Sequence, residues 1–286
     1  MSVLSRRSLL TGAGLLVAGG GAVAAGMETG LLPGRDGPDG VVPAATPGRT
    51  VSGSFVSEHR RGKRCGWTIS YPPGADDDLP VAIVLHGRGN DHASAFSPRY
   101  LGLGHFLAAA VRAGTAPFAL ASVDGGESYW HPRRSGEDAG AMVLDELVPL
   151  LNGRGLDVRR IGLLGWSMGG YGGLRLAGLL GEGRVAGVAA VSPALWHDYD
   201  DTAPGAFDDA ADFADATVFG RQRSLRGIPV RVDCGQSDPF ASATRDYVHG
   251  FGHRPRGAFE RGGHDVGYWR RIAPRQLRFL GAAFTA

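Results

Sequence analysis

The chain has 286 residues, enough for one large domain with an N-terminal extension but not for two full domains of this type. Its charge is nearly balanced, 30 basic against 28 acidic side chains, so no electrostatic argument favours a nucleic-acid partner. Two cysteines without metal-site spacing, and nine histidines without an H-E-x-x-H or similar cluster, predict no metal and no cofactor.

Residues 1–26 read as a targeting segment. Arg6-Arg7 precede a Gly/Ala/Leu run from Leu9 to Gly26, which resembles a twin-arginine export signal or, uncleaved, a short membrane anchor. Export to the cell exterior or envelope is therefore expected, with membrane or envelope association through this segment. Residues 27–49 are rich in Pro and Gly without periodicity and read as a linker or a wrapping arm. The folded unit is expected over residues 50–286.

Within it, Val51–Val56 and Cys65–Tyr71 read as two opening antiparallel strands joined by a basic hairpin. Val81–Leu85 is a continuous apolar run, the mark of a strand covered on both faces. It ends in His86-Gly87-Arg88-Gly89-Asn90. A helix over Arg99–Ala113 and a strand over Phe118–Val123 follow. The strand runs into the loop Asp124–Arg133, where Tyr129, Trp130 and His131 either line a pocket or pack to fix the loop. Asp138–Leu151 reads as a helix.

The stretch Arg160–Leu174 carries the densest signal. It is an apolar strand, a turn with Gly165, Ser167 and Gly169 in the order G-x-S-x-G, and a helix with small residues at Gly169, Gly173 and Ala177. The glycines two residues either side of Ser167 let strand and helix approach closely, and the turn lifts the hydroxyl above the sheet edge. That pattern is the nucleophile elbow of α/β-hydrolases. Such an elbow needs two oxyanion donors, one from the residue after the serine and one from a glycine-containing loop after an earlier strand. The backbone amides of Met168 and Arg88 fit these places, with a neighbour of Arg88 as the alternative.

Val185–Val191 is the next strand. Trp196–Gly220 is acidic, aromatic and irregular, where this class commonly carries a cap over the active site. Ile228–Gly235 is a further strand, and Asp238 lies in the loop at its carboxyl end, where a carboxylate can orient an imidazole; Asp233, inside the strand, is the competitor. A short last strand over Gly257–Glu260 leads to His264 in a glycine-rich loop before the final helix. His249 and His253 precede that strand and lack the placement. The order Ser167, Asp238, His264 is the chain order of α/β-hydrolases. Cys65 and Cys234 fall on different elements and read as two separate buried thiols, a disulfide in an exported chain being the alternative.

Taken together, Leu85-His86-Gly87, Gly165–Gly170, Cys234–Phe240 and Gly263–Trp269 resemble the esterase D and mycobacterial mycolyltransferase group of α/β-hydrolases, from about Thr50 to the C-terminus. The resemblance implies an α/β-hydrolase fold, with a mostly parallel central sheet, helices on both faces and an irregular cap insertion. It implies Ser167, Asp238 and His264 as the triad. His86, Gly87, Tyr129, Trp130, His131, Trp166 and Trp269 are the expected substrate-binding residues. The expected activity is hydrolysis of a small-molecule or lipid ester through an acyl-enzyme. Acyl transfer to a sugar or lipid hydroxyl is the alternative, and a non-catalytic envelope-binding protein on the same fold is a second. The sequence sets no oligomeric state.

Overall fold

The structure, a computed structural model, describes residues 37–75 and 78–286. The expected export segment, residues 1–26, and the first part of the expected linker lie outside the described residues. Among the described residues no helix is long and apolar enough to cross a membrane.

Eight strands form one sheet in the order β1-β2-β4-β3-β5-β6-β7-β8. β1 (Thr50–Ser57) and β2 (Lys63–Ser70) pair antiparallel, and β2 meets β4 (Ala119–Val123) antiparallel as well. From β4 onward every pairing is parallel, through β3 (Pro80–Leu85), β5 (Asp157–Trp166), β6 (Val185–Val191), β7 (Val230–Gly235) and β8 (Phe259–Glu260). Burial follows that topology. β1 alternates between exposed and half-buried, whereas β4 and β6 are buried at every position, as strands sandwiched between two helical layers must be.

One face of the sheet is covered by α1 (Leu103–Arg112) and α7 (Val266–Phe284), with Leu107, Ile272, Leu277 and Leu280 fully buried against Val84, Leu164 and Ala189. The other face carries α2 (Ala139–Met142), a π-helical turn (Val143–Leu147), α3 (Val148–Asn152), α4 (Met168–Leu180) and α6 (Ala241–His249). The expected single helix over Asp138–Leu151 is thus broken by the π turn. That turn lies just ahead of Pro149, which has no amide to continue the regular ladder. The first helix starts at Leu103 and not at Arg99, because Gly102 before it adopts a left-handed conformation (φ 64°).

Part of the expected linker is docked onto the body. Gly40 N–H donates to the Gly267 carbonyl (2.8 Å), His105 Nδ1 pairs with the Ala45 carbonyl (2.9 Å), and Ala45 is buried. Residues 37–49 therefore form a wrapping arm over α1 and the start of α7. Cys65 on β2 and Cys234 on β7 are free and buried, with four strands between them. At about 4.8 Å per strand that separation is far beyond disulfide reach.

Candidate active site

The carboxyl ends of β5, β7 and β8 lie at one edge of the sheet, and each delivers one side chain. Ser167 follows β5 and caps α4. Its backbone sits at φ 54°, ψ −122°, a region that L residues avoid. The glycines explain how that turn is held. A Cβ at Gly165 would collide with the Gly169 carbonyl, and one at Gly169 would collide with the Leu85 carbonyl at the end of β3. Strand, turn and helix are therefore in backbone contact.

Ser167 Oγ lies 3.0 Å from His264 Nε2, and His264 Nδ1 lies 3.0 Å from Asp238 Oδ2. All three residues are buried, Ser167 being the most accessible at 8%. The imidazole is held edge-on by two aromatic rings, Phe240 at 5.2 Å and Trp269 at 5.1 Å. Burial alone would push the Asp238 carboxyl up. The charge of His264, its ring hydrogen bond, the nearby Ser192 hydroxyl and the Phe240 amide outweigh that, and hold it below the usual carboxylate range. An ionised Asp238 accepts from Nδ1–H, which leaves the Nε2 lone pair facing the serine hydroxyl.

Asp233, the competing acid, belongs to another arrangement. It forms a two-pronged ion pair with Arg231 (2.7 Å to each oxygen) and accepts from the Ala258 amide (3.1 Å), tying β7 to the segment before β8. His249 ends α6 and His253 lies in the following exposed loop, so neither joins the relay.

The loop after β3 lies beside the elbow. His86 Nδ1 donates to the Gly87 carbonyl (2.8 Å), and His86 Nε2 accepts from the Gly125 amide (3.0 Å). Asn90 N–H donates to that same Gly87 carbonyl (3.2 Å). Because the peptide is planar and trans, the Arg88 N–H points opposite to a carbonyl turned toward His86 and Asn90. Met168 N–H is at the first position of α4, where the helix itself supplies no acceptor. The Arg88 side chain pairs with Glu127 at the rim (3.3 Å).

The expected substrate-binding residues need correction. His86, Trp130, His131 and Trp166 have no exposed surface, and Gly87 is buried against the Trp166 indole. Trp130 packs on Gly125 and Gly172 and meets His86 edge-on at 5.1 Å. His131 Nε2 pairs with Asp212 (3.2 Å) and its ring stacks on Phe207 at 5.0 Å. Tyr129 (3% exposed) lies among Tyr171, Trp196 and Phe207, and Trp269 (4%) supports His264. His86, Trp130, His131 and Trp166 are thus packed as supports behind the site, while Tyr129 and Trp269 are as buried as His264 and Asp238 themselves.

Their packing has a cost and an anchor. Tyr129 and Trp130 both take left-handed backbone angles (φ 55° and 57°), unfavourable for bulky residues. Arg133 and Arg134 bind Asp208 and Asp209 of the irregular segment, and Asp212 accepts from His131. The segment expected as a cap holds a short helix, α5 (Ala210–Ala216), and is pinned to this loop.

Sequence reasoning passed over Asn90, whose side-chain oxygen accepts from Trp166 Nε1 (3.1 Å) and Tyr100 OH (3.0 Å). It also passed over Asp124, which accepts from the amides of Gly66 (2.9 Å) and His92 (2.7 Å). Both stand at loop ends beside recognised motifs, which was the signal available. Among the described residues, no three His, Cys, Asp or Glu side chains gather as a metal site would require.

Comparison with solved structures agrees with this architecture. A ferulic acid esterase superposes with a TM-score of 0.71 at 18% identity, covering 84% of this chain and 100% of its own. The chain has the α/β-hydrolase fold. A fluorophosphonate-binding serine hydrolase of Staphylococcus aureus is similar at TM-score 0.66 and 17% identity, covering 82% of this chain and 99% of its own. An S-formylglutathione hydrolase of Agrobacterium tumefaciens reaches 0.66 at 18%, covering 84% and 97%. No protein-family model matches the chain, and no curated protein sequence matches it.

Proposed function

We propose that the chain is a serine carboxylic-ester hydrolase with Ser167 as nucleophile, His264 as general base and Asp238 as the orienting acid. The observation that carries this reading is the unbroken hydrogen-bonded run from Ser167 Oγ through the His264 ring to Asp238, 3.0 Å at each step. That solved structures of the same fold include a ferulic acid esterase and an S-formylglutathione hydrolase supports ester chemistry in particular.

In this mechanism His264 Nε2 takes the serine proton as Oγ attacks the ester carbonyl. Asp238 stabilises the imidazolium that forms. The Arg88 and Met168 amides donate to the oxyanion, with the charge further favoured by the amino end of α4. Collapse expels the alcohol, which receives the proton from Nε2. Water, activated by the same nitrogen, then attacks the acyl-serine and frees the acid.

The test is covalent labelling with a fluorophosphonate followed by intact-mass and peptide mapping, alongside turnover of p-nitrophenyl acetate. One adduct on Ser167, with turnover abolished in a folded Ser167→Ala variant, is the expected result. Labelling elsewhere, or turnover retained without the hydroxyl, overturns the assignment.

A further inference from the structure

Ser167, Asp238 and His264 stand at the carboxyl ends of the strands; the opposite end of the sheet carries a groove. A groove of about 820 Å³ runs between the segment leading into β7 and the segment leading into β8. Its floor includes Leu225, Ile228 and Phe279, which are buried core side chains. β7 separates it from Asp238, and six residues of strand span about 20 Å. The groove is thus remote from the relay.

Its walls are basic. Arg223 and Arg226 stand on one side, Arg223 inside a 3₁₀ turn (Gln222–Leu225) and Arg226 just after it. Arg254 and Arg256 stand on the other, in the segment before β8, with Arg256 bridged to Arg231 of β7. All four are exposed, and His253 lies beside them. No Asp or Glu lines the groove. Among the described residues, none of the four has a carboxylate within ion-pair distance. Glu182 approaches Gly227 at the groove's margin yet pairs with none of them.

Four exposed guanidinium groups lining one groove with no carboxylate among its lining residues make a locally positive surface, which an anion in the groove would neutralise. Guanidinium also matches phosphate oxygens in two-pronged geometry. A trough walled on both sides suits a strand more than a flat surface. We propose that this groove binds a linear phosphate-bearing polyanion, laid along the trough with phosphates alternately paired to the Arg223–Arg226 and Arg254–Arg256 walls.

The probe is medium-chain inorganic polyphosphate, titrated into the full-length chain at several salt concentrations. Four phosphate contacts predict a log-affinity against log-salt slope of about −3, on the single-strand value per charge. The double variant Arg226→Gln/Arg254→Gln should bind at least about tenfold more weakly, with the slope roughly halved. Arg159→Gln, an exposed arginine elsewhere, should bind as the parent does. Turnover of p-nitrophenyl acetate, read separately, should be equal in all three proteins, and a chain inactive as an esterase would leave this binding test intact. Unchanged binding in the double variant, or an equal loss in Arg159→Gln, overturns the proposal. So does arginine-dependent binding to phosphatidylglycerol vesicles without binding to polyphosphate, which would make the face a membrane contact.

Discussion

Replacing Ser167 by glycine should stabilise the protein relative to replacing it by alanine, although both remove the proposed nucleophile. The backbone there sits at φ 54°, ψ −122°. Inverting both signs gives an ordinary extended conformation, so glycine, lacking a Cβ, occupies it freely. For a residue with a side chain such a region costs about 1–3 kcal/mol. Both variants lose the hydroxyl and its hydrogen bond to His264, so that loss cancels in the comparison. Against the strain relief stands the extra freedom of glycine in the unfolded chain, about 0.4–1 kcal/mol. The difference should favour glycine by about 1 kcal/mol, equivalent to about 2–4 °C in Tm for a domain of this size. Urea and thermal unfolding of the two purified variants measure it directly. An alanine variant as stable as the glycine variant would refute the reasoning, since the elbow would then hold no backbone strain.

Asp238→Asn should lower kcat by on the order of 10³–10⁴ with the fold intact, by analogy with the same change in a serine protease triad. Asp233→Asn should leave kcat within a few-fold yet destabilise the fold by on the order of 3 kcal/mol, because it strips Arg231 of its buried partner; the reverse pattern would exchange the two roles. His86→Phe should reduce kcat about 10²-fold with little change in KM, since the Gly87 carbonyl loses the ring that fixes it; an unaltered kcat would remove His86 from positioning the oxyanion donors. Burial lowers the pKa of both His86 and His131. Below about pH 6.5 the unfolded chain therefore binds protons that the folded chain refuses. Stability should fall as pH drops from there, by up to about 1.4 kcal/mol per pH unit for each imidazole, until each lowered pKa is reached. Urea midpoints at pH 7 and pH 5.5 measure the slope, and a flat profile would contradict it.

What was legible in the sequence tracks how local its cause is. β6 spans Val185–Val191 as the unbroken apolar run predicts, because a strand covered on both faces needs no other information. The three relay residues were legible for a related reason. Each follows a strand end, and their order along the chain matches the topology that brings those ends together. The left-handed Gly102 and the π turn before Pro149 were not legible, since neither alters the apolar pattern of its helix. Tyr129, Trp130 and His131 were the hardest to place. An aromatic polar loop has the same composition whether it lines a pocket or plugs one. The groups that decide the matter, Gly172, Phe207 and Asp212, come from distant parts of the chain.

Backbone contacts at the glycines tie the two halves of the proposed chemistry together. Gly169, in the first turn of α4, touches the Leu85 carbonyl, and Leu85 is the last residue before the His86–Asn90 loop. Trp166, one residue before the serine, donates to Asn90 at the far end of that loop. The loop is therefore held at both ends by residues within two positions of Ser167. On the other side, a Cβ at Gly235 would strike the Gly262 carbonyl, so the strand ends bearing Asp238 and His264 are pressed together by the same means. A side chain at Gly169 would push the His86–Asn90 loop away from Ser167, and one at Gly235 would part Asp238 from His264. The proposed proton relay and oxyanion binding would thus depend on backbone contacts that only glycine permits, and neither can be loosened without displacing a neighbour of Ser167.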